Sequence, residues 1–318
     1  MDIILMDPVF KERVWGGYKL KTEFDYNVGS YSVGECWGIA AHPNGCSVVR
    51  DGEFKGLSLR DLWENHRELF GNIEGKTFPL LIKILDAKED LSIQVHPDDE
   101  YANVNENGSF GKTECWYVLQ ADENASLIIG HNAKDKEELV SMVEEKKWNE
   151  LLHRVPVKKG DFVQINPGTL HAIKGGVMIL ETQQNSDITY RFYDYDRLFL
   201  GKKRELQLDK ALSVTSFNDK IFYKANSKTI DDLLLDTSDA KENNLYEMFS
   251  CPYYSISKMI VNNTAKLVNK SPFLLVSVVE GDGYANDKKI KKGDHFIVPF
   301  ELKEVSLSGD MEIVITSV

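Results

Sequence analysis

Apolar and polar residues alternate with a period of two through much of this chain, the signature of strands with two unlike faces. The pattern predicts strands over 36–41, 79–85, 91–96, 114–119, 125–130, 161–166, 177–183 and 188–193, punctuated by Gly, Pro and Asn. Helical spacing is rarer. "LSLRDLWENHRELFG" (57–71) carries Leu59, Leu62, Trp63, Leu69 and Phe70 on one face, and "KDKEELVSMVEEKKWNELLHR" (134–154) reads as a longer amphipathic helix. A short third helix is predicted over 204–214. Residues 226–244 are acidic and polar, and read as a loop or as the approach to a second domain. From about 245 strand patterns return and run to the end. Many short strands separated by turn signals predict a mainly β fold of sandwich or barrel type, with a few helical insertions.

The strand pattern contains a weak internal echo. "KKGDFVQINPGTLHAI" (158–173) resembles "KKGDHFIVPFELKEV" (291–305): each has Lys-Lys-Gly-Asp, an apolar strand, and a proline soon after. The first copy places His171 eleven residues after Gly160. At that offset from Gly293 the second copy has Glu304, and its nearby histidine, His295, follows the glycine by two. The scaffold is predicted twice, the polar equipment once.

That equipment sits on faces where a strand usually meets water. In "LSIQVHPDDEYA" the polar face holds Ser92, Gln94 and His96; in "GKTECWYVL", Lys112 and Glu114 share a face; in "NPGTLHAI", Thr169 and His171 do. A lone strand His or Glu is most often solvated. Three such segments together are better explained by polar side chains turned into a barrel, where they are tolerable if they bind something. Two imidazoles, a carboxylate and an amide oxygen make a candidate divalent metal site. A second cluster lies in "ETQQNSDITYRFYDYDR" (181–197). An uninterrupted strand there would put Gln183, Asn185, Asp187, Thr189, Arg191 and Tyr193 on one face. Arg191, amid aromatic neighbours, is costly to bury without an anion.

Composition narrows the partners. Of 318 residues, 42% are hydrophobic and 28% charged, as in soluble globular chains, and the net charge is −12. That charge argues against nucleic acid or an anionic membrane as partner, and obliges an anionic substrate to find local Lys and Arg. No run approaches the ~18 apolar residues of a membrane span, and the N-terminus does not read as a signal peptide. Cys36, Cys46, Cys115 and Cys251 are far apart without a CxxC pair, which predicts a cytoplasmic protein without a disulfide framework.

"FPLLIKILDAKEDLSIQVHPDDEYA", "KTE" leading into "CWYVL", "NPGTLHAI" and "QQNSDITYRFYDY" together resemble the type I mannose-6-phosphate isomerases in their short bacterial form; "VWGG" and "GECWGIAAHPNG" fit as well. The resemblance is specific from about residue 8 to 200 and looser beyond. It implies two cupin-type, jelly-roll β-barrel modules: a catalytic one over 1–225 with helical insertions, and one over 226–318 without metal ligands. It also implies one zinc per chain, held by Gln94, His96, Glu114 and His171. The general cupin pattern H-x-H-x(3,4)-E is not followed, since Gln-Val-His is followed by Glu eighteen positions after His96. The family's catalytic arginine falls on Arg191, and Lys112 and Asp187 match positions of acid/base or substrate-binding groups. The implied reaction exchanges mannose 6-phosphate and fructose 6-phosphate through a cis-enediol or enediolate. Lys112, Asp187 and a hydroxide on the metal stay open as the base, with Glu181 a supporting partner. Arg191, Lys83 and Lys174 are the candidate phosphate contacts. A non-catalytic sugar-binding cupin and an iron-dependent cupin oxygenase are the other readings; glutamine in place of histidine counts against the second.

Overall fold

The computed structural model describes residues 1–199, 201–217, 222–224 and 245–318. The segment 226–244, and with it the boundary expected between 225 and 226, lies outside the described residues. The fold is mainly β, arranged as jelly-roll sheets. A seven-stranded sheet runs in the order Phe222–Lys224, Phe162–Ile165, Glu114–Ala121, Val177–Gln184, Leu80–Ala87, Val9–Gly17, Val33–Ile39. A five-stranded sheet runs Leu152–Pro156, Ser126–His131, His171–Ile173, Ile93–Val95, Tyr190–Tyr193. Trp15, Leu85, Trp116, Val118, Leu127, Ile129, Val163 and Ile173 fill the space between these two sheets.

Alternation along each strand then decides what faces where. On Glu114–Ala121, Trp116 and Val118 point between the two sheets, while Cys115, Tyr117 and Leu119 join a second core. That core packs the outer face of the seven-stranded sheet against the C-terminal module, with Tyr254, Ile256, Phe273, Leu275 and Val314 opposite. In the five-stranded sheet, Ile93, Val95, Ala172, Tyr190 and Phe192 point outward under a helical cover that includes Leu139, Leu151 and Ala211. The residues between them, Gln94, His171 and Arg191, therefore point inward. The polar faces of these strands are the interior faces.

The C-terminal strands Leu245–Ser250, Ser255–Val268, Leu274–Ala285, His295–Val298 and Glu304–Ser317 form the third large sheet, with Lys288–Lys291 on its side. The N-terminal strand Ile4–Asp7 joins it, pairing antiparallel with His295–Val298 on one side and Val48–Val49 on the other. The first residues of the chain thus complete the sheet built by its last. No helix among the described residues is long and apolar enough to cross a membrane.

The helical insertions are shorter than periodicity predicts. Within 57–71 the helix Leu59–Asn65, opened by a Ser58–Asp61 capping box, gives way to a 3-10 turn Arg67–Phe70 that ends at Gly71 with φ 66°. The stretch 134–154 splits into Lys136–Glu144 and Trp148–Leu151, separated by Lys146 at φ 56°, and closes as the strand Leu152–Pro156. The predicted continuous face over 183–193 is also interrupted. Residues 185–189 belong to no strand, and a bulge between Arg191 and Tyr193 turns Tyr193 out to stack on Trp148, 4.7 Å between centroids.

Candidate active site

His171 and Gln94 are cross-strand partners, and Arg191 pairs with Gln94 on its other side, so three adjacent strands bring these side chains to one interior patch. Glu114, the first residue of its strand in the facing sheet, completes the group. His96 Nε2 lies 3.5 Å from Glu114 Oε2, and His171 Nε2 lies 3.4 Å from Oε1. One ligand atom from each of His96, Glu114 and His171 falls within 4.8 Å of the others, and all three residues are buried.

The imidazoles are oriented from behind. His96 Nδ1 donates to the Ile188 carbonyl and His171 Nδ1 to the Thr169 carbonyl, each at 2.8 Å. With the proton fixed on Nδ1, the Nε2 lone pairs face the centre of the cluster. Both rings are neutral at pH 7: burial first, then the charge of Lys112, holds His96 well below its ordinary pKa, and burial pushes His171 down to about 4. Neither carboxylate oxygen of Glu114 meets an aligned hydrogen-bond donor, although Lys112 Nζ lies 2.6 Å from Oε2 and 3.1 Å from His96 Nε2. Burial pushes the Glu114 carboxyl up against the pull of Lys112. An ammonium thus rests against two of the three donor residues. The donor set suits a divalent cation, which would satisfy Glu114 Oε1, the oxygen left without a partner beside the Lys112–Oε2 ion pair.

Gln94 takes a hydrogen bond from Ser92 Oγ on its Oε1 at 3.1 Å and turns Nε2 toward His171 Nε2, 3.3 Å away. Its amide must turn over before the oxygen can serve as a ligand. Lys112 is placed by its own loop. The Gly111 N–H donates to Asp99 Oδ1 and the Lys112 N–H to the Pro97 carbonyl, fastening the loop beside His96. A Cβ on Gly111 would meet the Asp98 backbone at 2.4 Å.

A cavity of about 380 Å³ adjoins the cluster, lined by Gln94 and Lys112 together with Arg13, Trp37, Lys83, Glu181, Asp187, Arg191 and Arg204 among others. Lys83 Nζ pairs with Glu181 Oε2 at 3.0 Å, and Trp116 Nε1 donates to Glu181 Oε1 at 3.1 Å. Burial raises the Glu181 carboxyl, but Lys83 and Lys112 outweigh it and hold the group below its usual range. Arg191 Nε is buried without a hydrogen-bond partner. Asp187 stands half exposed at the cavity wall, 2.6 Å from Asn44 Nδ2.

Of the residues singled out from sequence, Gln94, Lys112, Lys83, Glu181, Asp187 and Arg191 line this cavity, and His96, Glu114 and His171 sit beside it. Lys174 does not belong. It pairs with Asp90 and lies over Tyr195, outside the lining. Asn185 turns away to donate to the Phe78 carbonyl. Sequence reasoning missed Arg13, which binds Glu35 through two hydrogen bonds of 2.8 and 3.0 Å, and Arg204, held by Asp194. Charged residues beside the apolar "VWGG" and within "GECWG" were a usable signal for Arg13 and Glu35. Arg204 gave none.

Two family models match. "Phosphomannose isomerase type I, catalytic domain" covers residues 3–150 and "Mannose-6-phosphate isomerase, cupin domain" covers 245–318. Mannose-6-phosphate isomerase ManA of Bacillus subtilis is 48% identical, over 98% of each chain. A mannose-6-phosphate isomerase of Streptococcus mutans is 43% identical, again over 98% of each. The crystal structure of the mannose 6-phosphate isomerase from Bacillus subtilis matches with a TM-score of 0.93 at 44% identity, covering 100% of both chains. With likeness of this degree along nearly every residue, the chain belongs to the type I phosphomannose isomerase family.

Proposed function

We propose that this enzyme interconverts mannose 6-phosphate and fructose 6-phosphate through a cis-enediolate, with one zinc ion held by His96, Glu114, His171 and the amide oxygen of Gln94. The observation that carries the metal is the donor set: two neutral imidazoles with their Nε2 lone pairs turned to a buried carboxylate whose Oε1 has no hydrogen-bond partner. An unsatisfied buried acceptor costs roughly 1–3 kcal/mol, which a cation would recover. When bound, the ion would polarise a sugar oxygen at C1 or C2 as a Lewis acid.

The chain's own residues then move the protons. Lys112, buried at the cavity wall with its Nζ 2.6 Å from Glu114 Oε2, donates to a sugar oxygen. Asp187, whose carboxylate faces Asn44 and His42 rather than Lys or Arg, takes the C2 proton while the C1–C2 double bond forms and negative charge moves to O1, which Lys112 then protonates. Return of that proton from Asp187 to C1, with the O2 proton passing to Lys112 and restoring its ammonium, gives the ketose. Arg191, with its Nε unpaired in the buried wall, stabilises the negative charge that develops between those steps. Arg13, Lys83, Arg191 and Arg204 are the cations at the wall on which a phosphate dianion would draw. The free thiols at Cys36, Cys46, Cys115 and Cys251 support a reducing, cytoplasmic setting.

The test is formation of fructose 6-phosphate from mannose 6-phosphate before chelation, after it, and after zinc is restored. Activity should vanish and return. Full turnover after rigorous metal removal would end the metal reading, and a zinc-loaded protein inert toward mannose 6-phosphate would end the isomerase reading.

A further inference from the structure

Asp187 lies in the five-residue connection 185–189, outside any strand ladder, and its side chain is half exposed. The connection's backbone is tied inward, because the Ile188 carbonyl accepts from His96 Nδ1. Nothing within the connection fixes where the carboxylate of Asp187 points. A separate piece of chain does so. The small hairpin formed by Ala41–His42 and Gly45–Cys46, more than 140 residues earlier, reaches the cavity mouth. There Asn44 Nδ2 donates to Asp187 Oδ2 at 2.6 Å, and His42 Nε2 stands 3.7 Å from Oδ1, an ionic-contact distance.

The hairpin is itself braced. The Asn44 backbone N–H donates to His42 Nδ1 at 3.1 Å, so the neutral ring carries its proton on Nε2, the atom that faces Asp187. The ring meets Trp37 edge-on at 5.7 Å between centroids. Lys11 Nζ donates to the Asn44 carbonyl at 2.6 Å and lies over the Trp37 ring at 5.1 Å. Trp37 lines the cavity and donates to Glu35. These contacts of the tip lead back to the wall of the same cavity.

We infer that this hairpin is a positioning bracket for the proton-moving group: Asn44 and His42 hold the Asp187 carboxylate toward the substrate. Neither need touch the sugar. The inference rests on the proton-transfer role proposed for Asp187, and the experiment separates the two. In zinc-loaded full-length protein, His42→Leu combined with Asn44→Ala should lower kcat on the order of 10- to 100-fold, as loss of aim at a reacting carbon does. KM for mannose 6-phosphate and zinc content should stay unchanged. His42→Gln, which restores an N–H donor near the Nε2 position, should recover kcat to within about threefold of the parent. Asn44 is exposed, so Asn44→Ala alone keeps the comparison readable if the double variant folds poorly. A double variant with unchanged kcat, beside an inactive Asp187→Asn, overturns the bracket and leaves the role of Asp187 standing. Raised KM with intact kcat, or lost zinc, overturns it too, because the hairpin would then be a substrate contact or a support of His96. An Asp187→Asn enzyme with full kcat instead removes the reading on which the bracket depends.

Discussion

The two modules share one turn and differ in what it leads to. In the first, the Lys158 N–H donates to Asp161 Oδ2 at 2.8 Å, and in the second Lys291 N–H does the same to Asp294 Oδ2 at 2.8 Å. Gly160 sits at φ 89° and Gly293 at φ 90°, a region that glycine enters without strain. Gly160 and Asp161 bond to the backbone of Val118, and Gly293 and Asp294 make the same bonds to Val278. Counting from that shared register, the residue four before Val118 is Glu114 and the residue four before Val278 is Leu274. Eleven after each glycine stand His171, buried against Glu114, and Glu304, exposed and paired with Lys266 at 2.8 Å. Val276, Val278, Phe296, Val298, Leu307 and Ile313 close the second interior. A jelly-roll interior is filled either by close-packed aliphatics or by donors that need a guest, and a handful of positions decides which.

The comparison breaks most easily at His171. His171→Ala should abolish stoichiometric zinc and cut turnover by on the order of 10³-fold or more, while strand circular dichroism stays that of the parent. Metal analysis of the purified variant decides it, since full zinc with full activity would remove His171 from the site. The same analysis on the parent should give one zinc per chain. A second tightly held ion near His295 would mean that the aliphatic module is not inert.

Arg191→Lys probes the donor-lined interior without touching its ligands. Lysine keeps the charge but lacks the planar fork, and the contact forms mainly as charge develops. The variant should keep its zinc and lose kcat by about 10²-fold, within the range seen when a preorganised donor to an oxyanion is removed. Raised KM with kcat intact would make Arg191 a ground-state phosphate contact instead.

How far the sequence discloses all this depends on range. Glu114 and His171 were legible because each opens its strand at the inward parity, and His96 because it continues the alternation one residue past Ile93–Val95; parity is local. Strand positions were legible for the same reason. The ends of the predicted helices were not: Lys146 and Gly71 adopt positive φ, and hydrophobic spacing carries no record of that. Tyr193 was misplaced by a bulge that changes parity after Arg191. Arg13 and Arg204 reach the cavity from opposite ends of the first module, and tertiary closure alone unites them. Lys174 went the other way, drawn off by Asp90, a neighbour that no local pattern reveals.

The aliphatic module yields a stability test. Leu274→Glu would copy the Glu114 position into it without histidines to share the charge. The variant should lose about 3–5 kcal/mol in urea unfolding, the usual cost of an uncompensated buried charge, and should bind no zinc. A variant as stable as the parent would show that the second interior accepts polar equipment and that its emptiness of donors is incidental.

The smallest expected effect concerns His295, two residues after Gly293 as Phe162 is two after Gly160. Both side chains face across the module boundary. Phe162 stacks on Phe249, whereas His295 takes Ser277 Oγ at Nδ1, 2.8 Å away, and stands 3.4 Å from the Tyr26 hydroxyl. Its Nε2 edge fills the space beside Gly38, where a Cβ would come within 2.4 Å of the ring. Burial, helped by the charge of Arg50, pushes its pKa down to about 3. A depressed folded-state pKa on a base means that the unfolded chain binds the proton first. The contribution of His295 is therefore whole above the unfolded value near 6.5 and is lost as pH falls from there toward 3. At pH 5 the loss amounts to about 2 kcal/mol at most, since one pKa unit is worth about 1.4 kcal/mol. His295→Gln cannot take that proton. Between pH 7 and pH 5 the metal-free variant should thus lose roughly 1–2 kcal/mol less than the metal-free parent, with the titrations of His96 and His171 cancelling in the difference. Equal losses would mean that His295 is protonated as readily in the folded protein as in the unfolded chain, and that the boundary between the modules admits water.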